Sequence, residues 1–85
     1  MHDLHLANKI IKQVLEFTKG HSFSKVQKVV LKLGYILEHE ELIKPETLGF
    51  NLKMLAKGTP AERAEFIIEK FDKKGEYAID EIEGE

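Results

Sequence analysis

The chain has 85 residues, 42% hydrophobic and 33% charged, and its acids and bases nearly cancel to a formal net charge of -2. A length of this kind sustains one small domain with a thin core, because it buries only about 60–65% of the surface the unfolded chain exposes. Near-neutral charge gives no footprint for nucleic acid or an anionic membrane, and the absence of cysteine excludes disulfides, thiolate zinc, a cysteine nucleophile and iron–sulfur clusters.

From Leu4 to Lys19 the residues Leu4, Ala7, Ile11, Val14, Leu15 and Thr18 recur at three/four spacing, widened by Ile10 and Phe17, which predicts an amphipathic helix. Asp3 can accept hydrogen bonds from its first amides, and Gly20 can close it in the left-handed conformation. His21, beside that glycine, is placed to meet the carbonyl end of the helix. Residues 25–33, K-V-Q-K-V-V-L-K-L, read as a strand. Val29, Leu31 and Leu33 share one face, and Lys28 and Lys32 share the other with Val26 and Val30. Six lysines in the first 32 residues (Lys9, Lys12, Lys19, Lys25, Lys28 and Lys32) alternate with apolar positions and form solvated faces rather than a basic patch.

Gly34 is expected to end the strand, and Tyr35 to Lys44 reads equally as a loop or a short acidic helix. Pro45 suits the first position of a second helix carrying Leu48, Phe50, Leu52, Met54 and Leu55 and closing at Gly58. Two last strands, 64–71 and 76–83, flank D-K-K-G (72–75), where Gly75 supplies the positive dihedral of a tight hairpin. The order α, β, α, β, β implies an α+β domain of two layers, with two helices on one face of a three-stranded sheet. The other face would stay partly open, with Val26, Val30 and one set of hairpin side chains available for self-association or a partner.

No run of 18 apolar residues suggests a membrane span, and the two histidines and acid at the start do not make a signal peptide. The expected location is cytoplasmic, with Met1 retained because His2 is bulky. Catalysis has no foothold: glycine-rich phosphate loops, G-x-S-x-G and H-E-x-x-H are all missing, so no catalytic residue is assigned. Metal chemistry has one. The Met1 amine, the His2 amide nitrogen and the His2 imidazole can close two adjacent chelate rings, a planar nitrogen set suited to Ni(II) or Cu(II). A fourth ligand could come from Asp3, from His5 or from a side chain delivered by folding. The alternative is plain helix-start chemistry, with Asp3 as a cap and His2 and His5 in solvent. A second candidate, Glu38-His39-Glu40-Glu41, is equally the composition of a solvated loop.

Four stretches and the element order resemble the HypA/HybF family of hydrogenase nickel-insertion accessory proteins. The chain opens M-H-D-L-H-L-A where that family has Met-His-Glu. It continues V-V-L-K-L-G (29–34), P-E-T-L-G-F (45–50) and G-T-P-A-E-R-A-E (58–65), and closes on an acidic strand. The resemblance covers nearly all of the 85 residues and implies a single nickel-binding domain over residues 1–85. It implies a non-enzymatic carrier that binds Ni(II) transiently at Met1, His2 and Asp3; His5, Glu38, His39 and Glu40 are further candidates by residue type alone. It also implies a nickel-handling GTPase and the hydrogenase large subunit as partners, without nucleic acid or membrane.

Two departures stand out. The family's cysteine-rich zinc loop between the last two strands is replaced by the short turn 72–75, so no zinc is expected. The segment from Gly34 to Pro45 is longer than usual, and Lys44 stands where some members carry an acid. The competing expectation is a relative that has lost metal trafficking and serves as an interaction or dimerisation module through the open sheet face.

Overall fold

A computed structural model of the chain describes residues 5–38 and 41–85. Helix α1 runs His5–Gly20, strand β1 Val26–Tyr35, β2 Leu37–Glu38, β3 Glu41–Leu42, helix α2 Pro45–Ala56, β4 Glu65–Lys74 and β5 Tyr77–Gly84. The expected two-layer α+β domain is present: a three-stranded sheet in the order β4-β1-β5, with both helices against one face. Leu6, Ala7, Ile10, Ile11 and Val14 of α1 and Leu48, Leu52 and Ala56 of α2 are buried with Val29, Leu31 and Leu33 of β1. The apolar stripes of the helices and the alternation of β1 therefore meet in one core.

The sheet order corrects the expected hairpin. The last two strands do not pair; they flank β1, with β4 parallel to it and β5 antiparallel. The link between them crosses the end of β1, where the Gly75 amide donates to the Tyr35 carbonyl at 2.8 Å and the Gly34 amide to the Glu76 carbonyl at 2.9 Å. Gly75 does adopt the positive φ, +70°. Gly34 does not end the strand but lies inside it, because a Cβ there would collide with the Lys73 carbonyl, and only glycine admits so close a backbone.

Two further expectations change. Gly20 remains helical, and the left-handed residue is Ser22 at φ +57°. The Phe23 amide reaches back to the Thr18 carbonyl at 3.0 Å and the Ser22 amide to the Lys19 carbonyl at 3.3 Å, the paired bonds of a Schellman cap displaced by two residues. Val26 is only 1% exposed rather than on the open face, because the pairing with β5 shifts register between Val26 and Lys28, and a bulge re-aims side chains. Val30 stays on the open face, half-buried.

Candidate metal centre

Helix α1 enters β1 through the short turn 21–25, so the two run antiparallel and the start of α1 lies toward the far end of β1. The Tyr77 hydroxyl fixes the packing by donating to Gln13 Oε1 at 2.9 Å, and Tyr77 itself pairs with Leu33. His5 lies eight residues beyond Gln13, roughly 12 Å further along the helix, and is exposed. The chain leaves β1 at this same end, forms the β2–β3 ribbon and starts α2. The origin of α1, the ribbon and the start of α2 therefore gather at one end of the domain.

The stretch read as loop or helix is an antiparallel ribbon. Leu37 pairs with Leu42 and Glu38 with Glu41, and the Ile43 amide donates to the Ile36 carbonyl at 2.9 Å. Ile36 and Ile43 pack against the core, whereas Leu37 and Leu42 are exposed. The ribbon places positions 38 and 41 opposite each other, not one helical turn apart. Lys44 is the residue before α2, in extended conformation and with no side-chain cap, and Pro45 takes the first turn as expected.

Of the candidate ligands, His5 is the one whose side chain is described; Met1, His2, Asp3, His39 and Glu40 lie outside the described residues, and Glu38 and Glu41 are described by backbone alone. Among the described residues no three His, Asp or Glu side chains converge on a metal-sized site. His21 is accounted for separately. Its Nδ1 lies 3.0 Å from the Phe17 carbonyl at the end of α1, its ring stacks on Phe17 at a 4.0 Å centroid distance, and Phe23 closes the cluster.

The ion pairs among the described residues are on the open sheet face, where sequence alternation placed Lys28 but not its partners. Lys28 Nζ is 3.2 Å from Glu83 and 3.7 Å from Glu81. Hydrogen bonding between the two neighbouring carboxyl groups as they titrate pushes Glu81 up and Glu83 down from the ordinary carboxylate range, and Lys28 further lowers Glu83. The bond and charge of Glu83 raise Lys28 in turn. All three side chains remain open to water, so the cluster is a solvated charge network rather than a catalytic pair.

Comparison with known proteins resolves the lineage. The family model for HypA, described as hydrogenase/urease nickel incorporation, metallochaperone, matches residues 1–76. The chain belongs to the HypA family. Among its HypA relatives, the hydrogenase maturation factor HypA of Methanosarcina acetivorans is 42% identical over 69 residues, covering 81% of this chain and 49% of the relative. That of Methanopyrus kandleri is 38% identical over 69 residues, 81% of this chain and 46% of the relative. That of Thermococcus sibiricus is 36% identical over 76 residues, 87% of this chain and 52% of the relative. The chain thus spans about half the length of these curated HypA proteins. The HypA match ends at Glu76, just past β4 and inside the link that crosses β1. No helix among the described residues is long and apolar enough to cross a membrane.

Proposed function

We propose that this chain is a cytoplasmic, non-enzymatic nickel carrier of the HypA type, corresponding to the nickel-binding half of the family. It holds Ni(II) through the Met1 amine, the His2 amide and the His2 imidazole, with Asp3 adjacent. The observation that carries the reading is the Met-His-Asp opening at the head of α1 in a chain of HypA lineage. Amine, deprotonated amide and imidazole supply adjacent chelate rings in one plane, the arrangement Ni(II) favours. The fourth ligand comes from Asp3, from the exposed His5, or from Glu38, His39 or Glu40. The short link at Gly75–Glu76 stands where the family resemblance puts a zinc module, and the 85 residues contain no cysteine, so the carrier works without structural zinc. A nickel-handling GTPase and the large subunit of nickel–iron hydrogenase are the partners this role needs.

Calorimetric nickel titration of the untagged chain beside His2→Ala tests the site. The variant is expected to lose at least about tenfold in affinity, equivalent to about 1.4 kcal/mol. Residues added ahead of Met1 are expected to do the same, because they convert the amine to an amide. Affinity should rise with pH as the three nitrogens lose protons to the metal. Equal binding by wild type, His2→Ala and the extended chain would eliminate the site.

A further inference from the structure

The outer edge of β4 is open: within the described sheet this strand pairs with β1 alone. From Glu65 to Lys70 the pairing with Lys28–Leu33 is regular, and the irregularity comes only after Lys70. The segment E-F-I-I-E-K has no proline and no bulge to prevent a further strand from adding. Beside it runs a groove between α2 and β4, lined by Pro45, Gly49, Phe50 and Lys53 above Phe66 and Ile68. Phe50 is 64% exposed. Gly49 is unusual here, since glycine weakens a helix interior and packing does not demand it: an added Cβ would rest on Ile68 Cδ1 at an ordinary 3.5 Å. The floor of the groove is left bare at a cost to the helix.

The charges on the open face say what fits. Across the sheet, Glu83, Lys28 and Glu65 stand in one row, and Ala78, Lys32 and Glu69 in the next but one. Both rows end at β4, the strand with the free edge, with an exposed carboxylate, Glu65 or Glu69. β1 already shows the complementary pattern on the inner edge, with lysines opposite both glutamates and apolar residues between.

We propose that the edge Glu65–Lys70 and the α2–β4 groove receive an extended segment of a partner protein as a fourth strand. The segment carries basic residues four apart, opposite Glu65 and Glu69, and alternating apolar side chains enter the groove over Phe66 and Ile68. Main-chain pairing gives such an addition its affinity and the alternate side chains its specificity.

The sequence of β1 supplies a probe, the peptide Q-K-V-V-L-K-L of residues 27–33. Fluorescence anisotropy with the full chain is expected to show saturable capture, weakened at least about tenfold by the pair Glu65→Lys and Glu69→Lys. The charge-reversed peptide Q-E-V-V-L-E-L should then regain binding to that double variant. Phe50→Ser should weaken capture without altering thermal unfolding, and Gly49→Ala should raise the melting temperature while weakening capture. Absence of saturable binding, or binding indifferent to these substitutions, would overturn the proposal. So would a dimer in sedimentation equilibrium that the same substitutions dissolve, in a chain that captures no peptide, since the edge would then belong to a second copy.

Discussion

The two faces of the sheet are built from the same strand and do opposite things. On the covered face, Val29, Leu31 and Leu33 are at most 2% exposed and belong to the same core cluster as residues of both helices. On the open face, Lys28, Val30 and Lys32 lie one residue out of phase, beside Glu65, Ile67 and Glu69 on β4 and Glu83, Glu81 and Ala78 on β5. Period-two alternation assigns every second residue to each side, so one stretch encodes both a core and a charged surface. Stability is concentrated on the first. The second interleaves opposite charges with a few half-buried apolar residues, and its contribution is small and sensitive to salt.

Leu31→Ala should show the contrast most strongly. Removing a side chain that is 1% exposed is expected to cost about 3 kcal/mol in urea unfolding, whereas Val30→Ala on the opposite face should cost less than about 1 kcal/mol. Comparable losses would mean that the open face is covered in solution. Next in size is Gly34→Ala, expected to cost about 2 kcal/mol, because the new Cβ meets the backbone carbonyls of Lys73 and Glu76 and the link across β1 has to move. Calorimetric melting checks it, and an unchanged melting temperature would show that the crossing is loose.

The smallest effect belongs to the charge network. Glu83, depressed by Glu81 and Lys28, supports the fold above its unfolded pKa, and that support fades as pH falls through its folded value. Glu81, raised by its bond to Glu83, has the opposite slope: its contribution is present below its unfolded pKa and is lost as pH rises through the folded one. Carbon-detected NMR titration should therefore find Glu81 titrating at higher pH than Glu83. Lys28→Met should move Glu83 upward, and superimposable titrations of the two carboxyls would show that they do not share a proton.

The helices, the buried face of β1 and the end strands were legible in the sequence because each rests on local periodicity and a long enough run. Strand order was not. D-K-K-G looks the same whether its flanking strands pair with each other or straddle a third, and the difference depends on β1 having two free edges. Val26 was misassigned for a related reason, since a bulge resets alternation without marking the composition. The ribbon at 37–42 is too short for any period to register, and Ser22 took the cap from Gly20 because the bonding pattern of the last turn outweighed residue preference. At the metal centre, the Met-His-Asp opening and the family resemblance were legible from residue type and order. Which groups converge with them depends on tertiary placement, of which the fold supplies the end of the domain where α1, the ribbon and α2 begin.

The central position of β1 bears on how the protein is made. This strand is synthesised early, yet both of its neighbours lie in the last third of the chain. Until β4 and β5 have left the ribosome, V-V-L-K-L has two bare edges, and helix α1 lacks the completed sheet on which it packs. Folding must therefore wait for distant contacts, which are slow to form and expose sticky surface in the interval. The lysines at 28 and 32, which decorate the finished sheet, also keep the waiting strand from pairing with its copies on neighbouring nascent chains.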